Sequence, residues 1–448
     1  MNGRDALPRC RAHSLCFSLD PKPCLFLIFH KNSDPLACYN FRVRKRTSLK
    51  NPAPEPPTRY AKESETELQS LRVRLERQQH SYEIRIGRDL RRQVGEFLRR
   101  VVGRQTQRIA IISNKPVFKL YGAEVIRSLG GHDFMTPYWL MRDGERFKTL
   151  RSLESALEFL AETGLERTDA VLALGGGVVG DLGGFAAATY LRGMTLIQMP
   201  TTLLAQIDSS VGGKTGINMR LGKNLAGAFH QPSCVVIDTQ TLGTLPRREL
   251  VSGFCEAVKQ GAVASQSLFK QTMTMLEEVQ WDEAALLSTE MDELIASHCK
   301  FKASVVVSDE REAASRTDRR SRRILNFGHT TAHALESATS YGRFRHGEAV
   351  GYGMLVAGHI SKNLGLLDSS GLELLRRAVR LCGPLPAAND LDERSIIEAV
   401  SHDKKRSAGH VKWVLLERIG NPRIVDGSEI SPQLLRLSLR EGLRKAKE

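Results

Sequence analysis

Four side chains in the second half of the sequence belong to the types that bind metal ions. His329 and His333 are four residues apart, a spacing that presents two imidazoles on one face of a helix. His346 follows in the segment Arg-His-Gly-Glu, and Glu256 lies in the apolar segment Gly-Phe-Cys-Glu-Ala-Val-Lys. Three histidines and a glutamate on otherwise apolar helices favour a metal site over a set of buried structural residues. The spacing alone pairs His329 with His333 and leaves the third ligand open.

A glycine-rich turn in the first half of the sequence is suited to approach a phosphate. Gly175, Gly177 and Gly180 follow the apolar run Ala170–Leu174 and match the GxGxxG pattern, which brings backbone close to a pyrophosphate at a helix N-terminus. The acidic residue that usually binds the ribose, about 20 residues later, is missing, which disfavours an ordinary dinucleotide fold. The segment Asp-Gly-Glu that begins at Asp143 is the alternative ribose contact.

A second set of polar residues lies among glycines, in the segments 208–215 and 222–224. Gly-Gly-Lys214-Thr resembles half of a phosphate-binding P-loop but lacks its first glycine, which disfavours a nucleoside triphosphatase. Lys214, Lys223 and Asn224 are well suited to hold a phosphate or a carboxylate. The structural alternative is a solvated glycine loop.

The pattern of apolar residues predicts the elements that must position these groups. From residue 81 to about 245, short apolar runs alternate with amphipathic helices, which indicates a parallel sheet covered on both faces. Among these helices is Leu90–Val102. After Leu245 the pattern is helical almost throughout and includes a helix over 283–308. We therefore expect an α/β N-terminal domain with a parallel Rossmann-like sheet and an all-α C-terminal domain. The predicted segments are a disordered basic extension (1–60), an α/β domain (61–245) and a helical domain (246–448).

Net charge does not indicate nucleic-acid binding here. The 448 residues carry a net charge of +15, but residues 1–60, 313–323 and 434–448 contribute +7, +4 and +3 of it. A nucleic-acid-binding protein concentrates basic residues on a folded face or groove, so we expect no nucleic-acid partner. The longest apolar run is far shorter than the roughly 18 residues that a membrane span needs, so we expect no membrane association.

The N-terminal 60 residues and the cysteines bear on location. Residues 1–60 show no periodic apolar pattern and end in a proline-rich segment, and they are either an organellar transit peptide or the product of an upstream start codon. The eight cysteines include no CxxC pair. This usage is typical of a reducing compartment and predicts a cytoplasmic protein.

Taken together, these motifs resemble the 3-dehydroquinate synthase family of the sugar-phosphate cyclase superfamily. The resemblance covers roughly residues 81–430 and includes the segments 143–148, 175–181, 208–215, 222–224, 245–249, 309–312, 326–333, 346–348 and 403–405. It implies that the α/β domain (61–245) binds NAD and that the helical domain (246–448) binds substrate and a divalent metal, Zn²⁺ with Co²⁺ as the alternative. It also implies a homodimer. It also implies a reaction of the shikimate pathway, conversion of 3-deoxy-D-arabino-heptulosonate 7-phosphate to 3-dehydroquinate and phosphate. The implied steps are transient oxidation by NAD, phosphate elimination, reduction and intramolecular aldol closure.

The resemblance also implies roles for individual residues. It assigns the metal to Glu256, His329 and His346, and moves His333 from the metal to the substrate pocket. The implied NAD contacts are Asp143, Gly144, Glu145, Arg146, Phe147, Lys148, Gly177, Val178, Val179, Gly180, Asp181, Thr201, Thr202, Lys214, Lys223, Thr241, Leu242, Gly243 and Thr244. The implied catalytic and substrate-binding residues are Arg192, Asp208, Lys214, Asn224, Lys259, Lys302, Arg322, Asn326, His333, and one lysine of the pair Lys404 and Lys405.

Two departures from the family pattern are visible. Gly183 stands where the family usually has threonine, and the segment between Glu312 and Asn326 is longer by about six residues and rich in arginine. Arg322 keeps the family position, but Arg319, Arg320 or Arg323 are alternatives for its role. Other sugar-phosphate cyclases, a metal-dependent polyol dehydrogenase and a basic nucleic-acid-binding protein are the competing interpretations. Asn326 and His333 favour the synthase over related cyclases, and Lys214 and Asn224 argue against a dehydrogenase because it needs no phosphate clamp.

Overall fold

Six parallel strands form the sheet of the first half, in the order β1-β8-β5-β4-β2-β3. The computed structural model describes residues 81–279, 282–313, 315–406 and 411–444, with backbone alone for 401–406. Every residue of β2 and β4 is buried, as expected for central strands of a sheet covered on both faces. The strands are β1 (Glu83–Gly87), β2 (Ile109–Asn114), β3 (Tyr138–Met141), β4 (Ala170–Gly175), β5 (Thr195–Pro200) and β8 (Cys234–Asp238).

Helices cover both faces of this sheet because their apolar residues recur at helical spacing. In the first of them, Val94 and Leu98 are four residues apart and both are buried. The helices of this half are α1 (Leu90–Val102), α2 (Lys115–Val117), α3 (Ala123–Gly130), α4 (Leu150–Glu162) and α5 (Gly177–Thr189). The predicted parallel α/β architecture is confirmed. The predicted extension 1–60 lies outside the described residues.

The glycine-rich segment expected to be a phosphate cradle or a loop forms an antiparallel hairpin. Strands β6 (Lys214–Met219) and β7 (Gly222–Phe229) pair with each other, with a register shift between Ile217 and Met219. The hairpin carries Lys214 at its beginning and Lys223 just after its turn. Two predicted anion-binding lysines therefore lie on one hairpin.

The second half is helical, as predicted, with α6 and α11 at its centre. Both run for 18 residues, with 14 of them buried in each. The helices are α6 (Arg247–Ala264), α7 (Gln266–Val279), α8 (Glu283–Leu286), α9 (Thr289–Ser308), α10 (His329–Ala338), α11 (His346–Asn363), α12 (Ser369–Leu381), α13 (Glu393–Arg406) and α14 (Pro432–Leu443). Within the described ranges, no helix is long and apolar enough to cross a membrane.

Two details of the helical half differ from the sequence-based prediction. The predicted helix 283–308 is interrupted because the Ser288 side chain accepts a hydrogen bond from the Met291 amide and begins a new helix, α9. A hairpin, β9 (Lys412–Arg418) with β10 (Asn421–Asp426), is inserted before α14. The predicted helical C-terminal region is confirmed, and this hairpin is added to it.

Candidate active site

The residues expected to contact NAD lie at one edge of the sheet. Segments 143–148, 177–181, 201–202 and 241–244 follow the carboxyl ends of β3, β4, β5 and β8 in turn. Carboxyl ends of parallel strands share one edge, and open α/β sheets bind ligands there. The structure thus brings to one edge four segments that are up to about 100 residues apart in sequence.

Glycines in the turn between β4 and α5 lie close to neighbouring side chains. A Cβ atom on Gly177 would lie 3.0 Å from Ser209 Oγ, and one on Gly180 would lie 2.9 Å from Gln198 Oε1. The glycines therefore keep this turn uncrowded, and the free backbone amides in the first turn of α5 suit an anion.

Lys148 connects several of the predicted NAD and substrate residues. Its side chain is buried, and its Nζ lies 2.8 Å from Asp181, 3.2 Å from Glu145 and 2.7 Å from Asn224 Oδ1. Burial works to lower the pKa of Lys148, but the charges of Asp181 and Glu145 outweigh it and raise the pKa. Lys148 is therefore a fixed positive charge at the sheet edge.

Asn114 is a site residue that the sequence analysis missed. It ends β2, and its Nδ2 donates to Asp143 Oδ1 at 2.7 Å, which holds the predicted ribose-binding carboxylate. The available signal was a polar residue at the end of a strand whose other residues are mostly apolar.

The predicted metal ligands come from three different helices. Glu256 on α6, His329 on α10 and His346 on α11 each offer a ligand atom, and these atoms lie within 4.8 Å of one another. His346 Nε2 is 3.5 Å from Glu256 Oε1, and the rings of His329 and His346 are 5.1 Å apart. Two nitrogens and a carboxylate oxygen are a donor set that suits Zn²⁺ or Co²⁺.

The carboxylate of Glu256 also fits a cation. Its side chain is 1% exposed, and within the described ranges neither oxygen has a hydrogen bond of ordinary geometry, although Lys259 Nζ lies 2.5 Å from Oε2. Buried carboxylate oxygens without hydrogen bonds are rare, and a bound metal ion would satisfy them.

His329 and His333, which the spacing paired, belong to different candidate metal-binding sets. His329 and His333 share a face of α10, with rings 5.5 Å apart, but His333 is exposed and does not belong to the set with Glu256. A second set, His333, Glu336 and His346, meets the same 4.8 Å criterion.

The two histidines of the proposed metal site, His329 and His346, have pKa values shifted in opposite directions. Burial, assisted by Lys259 and the other imidazoles, lowers the pKa of His329 well below its usual value. Its Nδ1 lies 3.3 Å from the Phe327 carbonyl oxygen. Burial works to lower the pKa of His346, but the contact with Glu336 and the charge of Glu256 outweigh it, and the pKa is raised. A neutral imidazole such as His329 is the form that binds metals.

Beside the metal-binding group lies a cluster of buried charges centred on Asp208. Lys259 Nζ is 3.1 Å from Asp208 Oδ2, and Lys302 Nζ donates to Asp208 Oδ1 and to its backbone oxygen. Burial works to raise the pKa of Asp208, but the two lysines hold it well below its usual value. Burial lowers the pKa of Lys302. Lys259 contacts both Asp208 and Glu256, so this cluster adjoins the metal-binding group.

Two of the predicted substrate residues meet an internal carboxylate, that of Glu312. Lys214 forms an ion pair with Glu312, and Asn326 Nδ2 donates to Glu312 Oε1 at 3.4 Å. Glu312 has a backbone φ of 53°, in the left-handed region that glutamate seldom adopts. Glu312 lies in the segment 309–312 that resembles the family, but nothing in the sequence indicates that it contacts both groups.

Arg322 is the buried member of the four arginines considered for one role. Its guanidinium donates to the carbonyl oxygens of Glu310 (2.8 Å) and Gly212 (3.0 Å), which brings it beside the loop that precedes Lys214. Arg319 and Arg320 are exposed and Arg323 is half-buried.

The remaining predicted residues are less closely grouped. Arg192 is exposed in a turn with φ of 64° and, within the described ranges, forms no ion pair with the other site residues. The side chains of Lys404 and Lys405 lie outside the described residues. Thr241 and Thr244 bond to Gln206 and Tyr121, and Thr202 Oγ1 accepts from the Ala205 amide, so these three side chains stabilise the loops themselves.

Comparison with known proteins agrees with these features. Residues 138–252 match the family model of the 3-dehydroquinate synthase N-terminal part, and residues 253–406 match that of its C-terminal part. The 3-dehydroquinate synthase of Gloeobacter violaceus is 43% identical over 80% of this chain and 95% of its own length. That of Symbiobacterium thermophilum is 41% identical over 81% and 98%.

Solved structures with the same fold carry both expected cofactors. A 2-epi-5-epi-valiolone synthase from Streptomyces hygroscopicus, with NAD⁺ and Zn²⁺ bound, has a TM-score of 0.72 at 25% identity, covering 82% of this chain and 98% of its own. A 2-deoxy-scyllo-inosose synthase complexed with carbaglucose-6-phosphate, NAD⁺ and Co²⁺ has a TM-score of 0.68 at 26% identity, covering 81% and 97%.

Proposed function

The chain belongs to the 3-dehydroquinate synthase family and is a lyase-type cyclase with that family's function, and on this premise we propose how its residues perform it. The proposed substrate is 3-deoxy-D-arabino-heptulosonate 7-phosphate, and the proposed products are 3-dehydroquinate and phosphate. The observation that carries the proposal is the contact of Lys259 with both Glu256 and Asp208. It joins a metal-binding group to a cluster suited to a polyhydroxylated anion.

Two separate groups of residues would hold the two cofactors. Glu256, His329 and His346 would hold Zn²⁺, with Co²⁺ as the alternative. The sheet-edge segments 143–148, 177–181, 201–202 and 241–244, together with Lys214 and Lys223, would hold NAD. When bound, NAD reversibly accepts a hydride and the metal polarises hydroxyl oxygens.

The chain's own residues would orient the substrate and exclude unproductive poses. Lys259, Lys302 and Asp208 would hold hydroxyl groups, because a buried lysine donates and a buried carboxylate accepts. Lys214, Asn224, Asn326 and Arg322 would bind the phosphate and carboxylate through charge-assisted hydrogen bonds. Arg192 and one of Lys404 and Lys405 complete the proposed pocket. Contacts of this kind hold the leaving phosphate in one orientation for elimination.

His333 would move protons rather than bind metal. It is exposed, and its ring lies 5.5 Å from that of His329, close enough to face a substrate held beside the metal. An imidazole can take and return a proton near neutral pH, which suits the enolisation steps next to a ketone.

Stoichiometry of the cofactor provides the sharpest test of this function. Enzyme, excess substrate and sub-stoichiometric NAD⁺ are mixed while phosphate and NADH absorbance are followed together. Many phosphates per NAD⁺ without free NADH is the expected result, because the hydride returns within each turnover. One NADH per product indicates a dehydrogenase, and no phosphate release contradicts the proposal. A parallel assay with sedoheptulose 7-phosphate tests the alternative that the protein is another sugar-phosphate cyclase. We expect this protein to release no phosphate from that substrate.

Two further properties belong to the same proposal. We expect a homodimer, and the exposed apolar side chains of Met219, Leu221, Leu225 and Phe229 on one hairpin support a protein contact there. We also expect a cytoplasmic location, which the four described cysteines support because all are free and buried.

A further inference from the structure

Glu336 has no assigned role, yet its carboxylate contacts one of the proposed metal ligands. Helix α10 carries His329, His333 and Glu336 at positions i, i+4 and i+7, so all three share one face. The Glu336 side chain is 1% exposed, and its Oε1 lies 3.4 Å from His346 Nδ1. A buried carboxylate against an imidazole nitrogen requires a reason in the architecture of the site.

The two nitrogens of His346 face different groups. Nδ1 faces Glu336, and Nε2 faces Glu256 Oε1 at 3.5 Å. A carboxylate can only accept, so the contact with Glu336 favours the tautomer in which Nδ1 carries the proton. The lone pair of Nε2 is then directed toward Glu256 and His329. Carboxylates that orient metal-binding histidines in this way are a general feature of metal sites.

Lys223 in turn holds Glu336 from the other half of the fold. Its Nζ lies 2.9 Å from Glu336 Oε1 and 4.6 Å from the ring centroid of Tyr341. Lys223 belongs to strand β7, and the Lys223–Glu336 pair therefore connects the hairpin to helix α10. An ammonium group at this distance pairs with the carboxylate and limits its rotation.

We propose that Glu336 is a positioning residue that holds His346 with Nε2 presented to the metal, and that Lys223 fixes Glu336 for this task. The inference rests on the metal site of the proposed function and adds a residue to it. The geometry also offers a competing arrangement, in which Glu336 is itself a ligand with His333 and His346. The experiment must separate these two arrangements.

Metal affinity measured without turnover provides the first test. Metal-free protein is titrated with Zn²⁺ against a chromogenic chelator, for wild type, Glu336→Gln and Glu256→Gln. We expect Glu336→Gln to bind Zn²⁺ about 10- to 100-fold more weakly, the range for loss of such an orienting partner. Glu441→Gln is the matched control. Glu441 lies 2.8 Å from Nδ1 of His359, a histidine on the same helix as His346, and Glu441 belongs to neither candidate metal set. Its affinity should equal that of wild type.

The visible spectrum of the Co²⁺-loaded protein distinguishes positioning from ligation. At saturating Co²⁺, Glu336→Gln should keep the wild-type band, since the ligand set is unchanged, whereas Glu256→Gln should alter it. Lys223→Met should also weaken Zn²⁺ binding, by less than Glu336→Gln, and the double variant should lose no more than Glu336→Gln alone. Lys223 is partly exposed, so its variant keeps the test valid even if Glu336→Gln fails to fold.

Each alternative result has a distinct meaning. Wild-type Zn²⁺ affinity in Glu336→Gln and Lys223→Met, with loss in Glu256→Gln, overturns the positioning role and leaves the proposed function intact. A changed Co²⁺ band in Glu336→Gln also overturns it, in favour of ligation. Failure of the wild-type protein to bind either metal contradicts the metal site of the proposed function and this inference with it.

Discussion

Glu256 is the residue at which the metal-binding group and the charged cluster meet. Its carboxylate lies 2.5 Å from Lys259 Nζ and 3.5 Å from His346 Nε2, in a position that water scarcely reaches. A buried carboxylate surrounded by one cation and two imidazoles is stable only if its charge is balanced. Lys259 is shared with Asp208 and balances only part of this charge. A divalent cation would balance the rest.

Removing any one proposed ligand should remove the metal. We expect Glu256→Gln, His329→Ala and His346→Ala each to be purified with little Zn²⁺ and no phosphate-releasing activity, as measured by elemental analysis and a phosphate assay. His132→Ala is the control, since this imidazole contacts the Ser128 carbonyl oxygen far from the site. Retention of full metal content in any of the three variants contradicts the ligand set.

His333→Ala should separate metal binding from turnover. We expect its Zn²⁺ content to equal that of wild type and its phosphate release to fall about 100-fold or more, the usual contribution of a proton-transferring side chain. Loss of the metal in this variant would instead favour the set of His333, Glu336 and His346.

Asp208 should make stability depend on pH. Burial raises its pKa, but Lys259 and Lys302 lower it more, to well below the value of about 3.9 in an unfolded chain. Its charge therefore adds stability above about pH 4, and this is lost as the pH falls toward the lowered folded-state pKa. We expect Asp208→Asn to cost about 3–5 kcal/mol at pH 7, because two lysines remain buried without it. The cost should shrink in acid.

Urea unfolding between pH 3 and pH 7 measures this effect. Asp426→Asn is the matched control, because Asp426 pairs with Lys412 at the surface, where such pairs contribute little. We expect its cost to be much smaller than that of Asp208→Asn. An Asp208→Asn cost that is equally small, or independent of pH, would show that the cluster is not a stabilising charge network.

Among the elements, the hairpin β6–β7 delivers side chains to both the cofactor edge and the metal site. Asn224 accepts from Lys148 Nζ at 2.7 Å while its backbone adopts a φ of 53°. Asparagine tolerates this left-handed conformation, which allows one residue to shape the hairpin and bind Lys148. The preceding residue, Lys223, contacts Glu336.

Two substitutions at Asn224 should separate its backbone and side-chain roles. Asn224→Gly and Asn224→Ala both remove the acceptor of Lys148, so we expect a similar loss of affinity for NAD and for a non-eliminating phosphonate analogue. Alanine also carries a steric cost of roughly 1–2 kcal/mol in the left-handed region, which glycine avoids. The alanine variant should therefore melt at a lower temperature. Equal melting temperatures would show that the hairpin relaxes to another conformation.

Most helices and strands could be predicted because their patterns are local. Helix α1 has the predicted bounds, since apolar residues recur at helical spacing within a single segment. The hairpin β6–β7 escaped prediction because glycines interrupt the alternation that marks a strand. In β9, the run Trp413–Leu416 is uniformly buried, and such a run does not distinguish a strand from a helix.

The site was predictable only in part, because its geometry is tertiary. Spacing within one helix paired His329 with His333, but the structure gathers His329 with residues of α6 and α11 that are 73 and 17 positions away. The resemblance to a known family supplied what spacing lacked. Asn114, Glu312 and Glu336 were missed because their contacts cross between elements and no local pattern marks them.

At the scale of the whole molecule, the described parts of the basic segments carry surface ion pairs. In the arginine-rich segment, Arg316 pairs with Asp318 and Arg319 lies 3.8 Å from Glu417. Near the C-terminus, Arg440 pairs with Glu393 at 2.6 Å. These pairs offset part of the positive charge of the two segments.

Deletion of residues 1–60 should leave the enzyme intact. The curated relative from Gloeobacter violaceus matches 359 residues of this chain and nearly its own full length, so that family's machinery does not need all 448 residues. The segment also lacks a periodic apolar face that could pack on the fold and ends in prolines.

Removal of residues 1–60 lowers the net charge from +15 to +8. We expect unchanged Zn²⁺ content, melting temperature and phosphate release, and weaker, salt-sensitive retention on a DNA column. An insoluble product or a lower melting temperature would show that the extension packs on the fold. DNA retention that survives the deletion would reopen a nucleic-acid role for the folded part.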